Sequence, residues 1–596
     1  MAENCFRSLN ANEIDVLKSQ GNRAQDWSQV KVQEGFNPEW VWSSYFSGEV
    51  LLGSTHRGQA EEALSVGITH SRLHNCKIGS DCKVHNVQLL SNYCVGDNCE
   101  LFDIGEMVWE GEPEWMEVMN ESGGRKIQPF ATMRLSDAYL WAKYRDRKAL
   151  VDALATMTHN SQPAMGRIGD NCKIKHTKRI KNVVVNSDSE APSRIEDCIA
   201  LKDGVVGFGC KLEEGCMLER FLLGENVKIE MGARINDTVV GDNSTVARCE
   251  VGNSMIFPAH EQHHNNSFLI AALVMGQSNV AAGATIGSNH NGRTADNELV
   301  AGRGFWPGLC ASFKHSSSFA SYCLLAKGDY PAELDIRLPF CLVNNNVAKN
   351  RLEVMPAYWW LYNMYALARN ERKFAARDKR VKRFQHVVFD PLAPDTAEEI
   401  VCGRELLRHW TELSYANGVA GDKIEITATG MEKGKRKTVI LKAAEGYAAY
   451  ADMLVYYAMN TLATEEGTLP SASLASNDRE RAWVNLGGQL LRQTDLDKMI
   501  ADIESGKLDS WDAIHVRLDQ LWEAYPTEAK RHAYHLLCEM NGCKELTQPI
   551  WDKLLQRYQG IKQYVQEQVR VTREKDNANP FRKMTYRNDA EMEAVV

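Results

Sequence analysis

Apolar residues recur through the middle of this chain at intervals of six, six and five. From Val206 they fall at Leu212 and Leu218, then Leu223, Ile229 and Ile235, then Val240 and Val246, so that three steps close a period of seventeen. The same register reaches Gly252, Phe257, His263, Leu269, Val274, Val280 and Ile286. Thirteen of these fifteen positions are Val, Ile, Leu or Phe, far above the 44% hydrophobic content of the whole chain. A helix needs apolar spacings of three and four, and a half-buried strand needs two. Six, six and five predicts a three-sided solenoid, each side giving one main inward residue per turn while parallel strands pair between stacked coils. Ile78, Val84, Leu90, Val95 and Leu101 show the pattern earlier, and Ile168, Ile174 and Ile180 resume it.

Turn residues keep time with the apolar ones. Gly207, Gly224 and Gly241 each follow the first apolar residue of a coil, and "GDN" stands at 96–98, 169–171 and 241–243, with "GEN" at 224–226. Glycine, asparagine and aspartate adopt tight-turn conformations at low cost, so these are predicted corners.

The pattern divides the chain. A lead-in, 1–50, precedes a first solenoid segment, 51–104, an insertion, 105–165, and a second solenoid segment, 166–345. In the insertion, a hairpin is predicted to turn at Ser122, Gly123 and Gly124, followed by one helix from Ser136 or Asp137. From 346 to 575 helical spacing dominates, and 576–596 is a tail. There, "MPAYWWLYNMYALARNERKFAARDKRVKRF" predicts one long helix, and Thr396 with Glu399 a capping box. "KIEITATGMEKGKRKTVILK" predicts a hairpin. The expected fold class is a parallel β-helix with an inserted hairpin and helix, followed by a mainly α-helical domain.

A chain of 596 residues exceeds one compact core. Its net charge of −9 argues against general nucleic-acid binding, which needs a basic surface. The start lacks a basic stretch followed by an apolar one, so no export signal is expected, and no run of about eighteen apolar residues predicts a membrane span. Sixteen scattered cysteines without matched Cys-x-x-Cys pairs suit reduced thiols in the cytoplasm. Neither a P-loop nor a G-x-S-x-G elbow occurs.

The repeat resembles the hexapeptide-repeat, left-handed parallel β-helix superfamily, which includes trimeric acyltransferases and γ-class carbonic anhydrases. That resemblance implies left-handed coiling and a homo-oligomer, with a trimer among the open forms. "LNANEIDVLKSQGNRAQDW" followed by "FSGEVLLG", together with "AGRGFWPGLCASFKH", resembles an uncharacterised bacterial family built on this β-helix with a helical C-terminal part. The family lends a fold and no reaction.

Candidate chemistry lies in two places. "HEQHHNN" supplies His260, His263 and His264. In an unbroken register His263 points inward, where an unpaired imidazole is costly, so an outward loop is expected. A zinc site needs three or four converging ligands. The three histidines depart from the spacing that the γ-class resemblance implies, so the leading expectation is a polar loop with no metal, ahead of a metal-free catalytic histidine and of a zinc site on these three. The stretch 286–345 concentrates Asn289, His290, Asn291, Arg293, Arg303, Trp306, Lys314 and His315. Resemblance to the acyltransferases implies a histidine general base, with His290 and His315 as candidates, and an acyl-CoA donor in a groove. Asn289, Asn291, Arg293, Arg303, Trp306 and Lys314 are then the candidate contacts to a sugar, sugar-nucleotide or small-amine acceptor. The plainer reading makes the asparagines a stacked ladder and packs Trp306 on the C-terminal helices. The basic run "KIKHTKRIKN", 173–182, is expected to be a solvated strand face. A non-catalytic ligand-binding or assembly scaffold and a γ-carbonic-anhydrase-like metalloenzyme are the alternative functions.

Overall fold

The computed structural model describes residues 6–55, 65–121, 123–287, 298–417, 424–465, 467–475 and 479–595. Short parallel strands stack into a β-solenoid. Leu212 pairs with Ile229 and Ile229 with Val246, while Leu218 pairs with Ile235 and Leu223 with Val240. All are buried, so the predicted columns line the solenoid interior. At the corners Asn98, Asn171, Asn226 and Asn243 take the left-handed conformation, with φ of 56°, 58°, 56° and 55°. The stacking is close enough that a Cβ on Gly207 would lie 2.1 Å from the Gly224 carbonyl oxygen.

The expected register breaks once and recovers. Ile235 pairs with Val251, Val240 with Ile256 and Val246 with Gln262, a coil of sixteen residues. The following coil has eighteen, since Val251 pairs with Leu269 and Ile256 with Val274. Val251, Ile256 and Gln262 therefore hold the inward places that an unbroken count assigns to Gly252, Phe257 and His263. A one-residue slip turns a side chain to the other face of its strand.

Stacking begins before the first repeat visible in the sequence, because Arg23–Ala24 and Val30–Val32 pair in parallel with Tyr45–Leu52. In the insertion, Met116–Glu117 and Lys126–Ile127 form the hairpin. The helix expected there is two, Leu135–Lys143 and Lys148–Ser161, broken near Tyr144. Arg134 occupies the N-cap, and Asp137, inside the first turn, accepts the Arg134 backbone N–H at 2.8 Å.

The far end of the solenoid is closed by the antiparallel strands Leu342–Asn346 and Arg351–Met355, to which Lys437–Ile440 adds. The single long helix expected next is interrupted at Asn363, giving Tyr358–Tyr362 and Met364–Arg377. Residues 378–393 then run back along the solenoid as a strap without regular secondary structure. Helix Pro394–Ala416 has Ala393 as its N-cap, three residues before the expected one, with Thr396 Oγ1 accepting the Ala393 N–H at 3.0 Å. Glu399 instead reaches the solenoid, accepting the Ser321 N–H at 2.9 Å. Burial, then the nearby Asp395 carboxylate, pushes the Glu399 carboxyl up to about 7. The bundle continues with Ala443–Leu462, Gln493–Glu504, Trp511–Asn541 and Gln548–Asn577. No helix among the described residues is long and apolar enough to cross a membrane.

Candidate functional site

One side of the solenoid is apolar outside as well as inside. Next to the inward Val206, Leu223 and Val240 stand Val205, Leu222 and Val239, which face outward, stack on one another and are also buried. Such doublets mark strands covered on both faces. The cover comes from the insertion, the strap and the long helix Trp511–Asn541, which leave between them and the strands a cleft of about 370 Å³.

Each wall has its own anchor. Glu225 draws in the strap by accepting the backbone N–H groups of Val381, Lys382 and Arg383. Burial still holds its carboxyl above the usual range, against the pull of those donors. Arg380 bonds Asp242 at 3.0 Å and Asp378 at 2.9 Å, and Phe384 meets Phe208 with ring centres 6.0 Å apart. From the long helix, Asp512, His515, Val516 and Asp519 line the cleft at spacings of three, one and three, one face of an α-helix.

His515 and Asp137 form the chemically distinctive pair. His515 Nε2 lies 2.8 Å from Asp137 Oδ2, and both residues are buried. Asp137 is acceptor-only when ionised, so Nε2 carries the donated proton. His515 Nδ1 makes no hydrogen bond among the described residues, which leaves it as the basic nitrogen at the cleft. A second pair sits beside it. Asp519 Oδ1 accepts from His386 Nε2 at 2.8 Å and from Arg134 Nη1 at 3.0 Å. Burial lowers the His386 pKa; for Asp519, Arg134 and His386 outweigh burial and lower it overall.

None of the described residues that the sequence offers as site candidates lines this cleft. Asn289, His290, Asn291 and Arg293 lie outside the described residues. His315 is buried with Cε1 against Gly287, and Lys314 is half-buried. Arg303 is a buried strut that forks onto Asp395 at 2.7 and 2.9 Å and bonds the Asp390 carbonyl at 2.9 Å. Trp306 packs on Trp359, ring centres 5.7 Å apart. His260 is buried with Nδ1 on Ser278 at 2.7 Å and Nε2 on Gln262 at 3.1 Å. His263 is half-buried against Glu261, and His264 is exposed. Among the described residues no group of three or more His, Cys, Asp and Glu side chains is arranged to hold a metal ion. The basic run pairs outward across coils, Lys175 with Glu100 at 2.9 Å and Lys181 with Glu110 at 2.7 Å.

Two signals for the cleft stand in the sequence. The doublets "VV" 205–206, "LL" 222–223 and "VV" 239–240 mark the covered side, and "DAIHVRLD", 512–519, places four cleft residues on one helical face. The meeting of Asp137 with His515 has no local signature.

Residues 6–411 match the family described as a domain of unknown function (DUF4954). The chain belongs to that family. An uncharacterised protein of Treponema pallidum (strain Nichols) is 39% identical over 651 aligned positions, covering 99% of this DUF4954 chain and 90% of the relative. The family match takes in the solenoid, the insertion and the strap, and it ends before the helix that carries His515.

Proposed function

We propose that this DUF4954 protein is an acyl transferase, with His515 as general base and the cleft as its acyl site. The observation that carries the reading is the imidazole, fixed by a buried aspartate, at the edge of an apolar cleft. An acceptor hydroxyl or amine gives its proton to His515 Nδ1 as its oxygen or nitrogen bonds to the thioester carbonyl carbon. The adduct collapses with loss of the carbon–sulfur bond, and the imidazolium returns the proton to the departing thiolate. Asp137 holds the ring in the required tautomer and orientation, and such proton transfer is worth about 10²–10⁴ in rate.

Val205, Leu222 and Val239 give the acyl chain an apolar floor that keeps water from the thioester. Asn186, Gln385 and Asp512 border the same cleft and suit a hydroxyl-rich acceptor such as a sugar. A volume of about 370 Å³ suits the acyl and thioester end of acyl-CoA, with the nucleotide outside. One chain completes the cleft, so the proposal needs no second copy.

The test is thiol release from acetyl-CoA and longer acyl-CoA compounds, against a panel of sugars, sugar nucleotides and small amines. Release that depends on acceptor and is lost in His515→Gln supports the proposal. Absence of release with every acceptor, together with no thermal stabilisation by any CoA thioester, overturns it.

A further inference from the structure

A second cavity, of about 740 Å³, opens within the helical bundle, away from the solenoid strands. Its walls include Trp360, Tyr456 and Tyr525. Trp360 and Tyr456 meet edge to face, ring centres 5.5 Å apart. Tyr525 is held by a stack that begins at His386, with Trp522 lying on His386 at 4.9 Å and Tyr525 on Trp522 at 5.5 Å, both nearly parallel. The Tyr525 hydroxyl has no hydrogen-bond partner among the described residues.

The long helix carries Pro526 at this cavity. Proline lacks the N–H that would bond the Trp522 carbonyl, so an acceptor is freed in the helix there. At the mouth, Glu371 from helix Met364–Arg377 and Asp390 from the strap are exposed, and neither has an ion-pair partner among the described residues. Partial burial, then the Asp390 charge, raises the Glu371 pKa, against a smaller opposing pull from Arg372. Arg372 and Lys530 also line the cavity, and among the described residues neither forms an ion pair with Glu371 or Asp390.

Aromatic faces attract cations through their quadrupole, most strongly when the ammonium is desolvated. We propose that this cavity binds an organic ammonium cation, its charge held by Glu371 and Asp390 and its alkyl groups by Trp360, Tyr456 and Tyr525. The site shares no lining residue with the acyl cleft, and its occupation does not depend on acyl transfer.

Titration calorimetry of the full chain with choline, with putrescine and with 3,3-dimethyl-1-butanol, the neutral carbon analogue of choline, tests it. Saturable one-to-one binding of choline or putrescine is expected, with the neutral analogue at least about ten-fold weaker. Glu371→Gln, at an exposed position, is expected to weaken binding about ten-fold without changing the unfolding midpoint, while His515→Gln leaves it unchanged. No saturable binding of either cation, equal binding of the neutral analogue, or an unaffected Glu371→Gln overturns the proposal.

Discussion

Asp137 and His515 stand 378 positions apart in the chain and meet with Oδ2 and Nε2 2.8 Å apart. One comes from the insertion and the other from the long C-terminal helix, so the pair forms only when both fold onto the solenoid. Asp137→Asn keeps the shape but offers an amide in place of the charge that fixes the ring. Thiol release is expected to fall about 10²–10⁴-fold in Asp137→Asn and in His515→Gln. The double variant should fall little further, because the two residues act as a unit. Initial rates, with unfolding midpoints as a control for folding, check this.

Arg303, a candidate substrate contact in the sequence, is buried against Asp395. Its guanidinium forks onto Asp395 in the interface between solenoid and bundle. Asp395→Asn leaves a cation buried and unpaired and should cost about 3–5 kcal/mol of stability, whereas replacing both partners with apolar residues of similar volume should recover most of the loss. Urea unfolding of the single and double variants measures both effects.

Leu223 fills one side of the solenoid at 1% exposure, in register with Val240. Leu223→Ala removes methyl groups from a stack that cannot collapse around the gap, at a cost of about 2–5 kcal/mol. The opening of the coil is expected to be local, with early loss of amide protection at Leu223 and its paired neighbours in hydrogen exchange.

His260 gives the solenoid an acid-sensitive point. Burial, with smaller opposing contributions, holds its imidazole at about 4, below the ordinary value of 6.5. A base with a depressed folded pKa contributes stability that is present above pH 6.5 and is lost as the pH falls towards 4. The loss amounts to roughly 3 kcal/mol for this one group. Unfolding midpoints between pH 7 and 4 should therefore fall more steeply in the natural protein than in His260→Gln. Equal slopes would contradict the assignment.

Much of the solenoid was legible because it repeats: a residue such as Ile229 has the same neighbours one coil before and one coil after, so local spacing reports tertiary position. The sixteen-residue coil hid the register at Gly252 and His263, since a compensated slip leaves the average period unchanged. Helix ends were less legible. Thr396 caps Ala393 and Glu399 crosses to Ser321, because tertiary partners outbid the local capping pattern. The cleft was partly visible in the doublets at 205–206, 222–223 and 239–240. Its dyad was not, because no spacing rule links a histidine to an aspartate across the whole bundle.

The account rests on the cleft beside His515 being the place where an acyl group sits. A crystal structure of the protein with an acetyl-CoA analogue, its thioester sulfur replaced by methylene, addresses that directly. The acyl group should lie over Val205, Leu222 and Val239 and beside His515. An analogue bound elsewhere, or an empty cleft at saturating concentration, would contradict it.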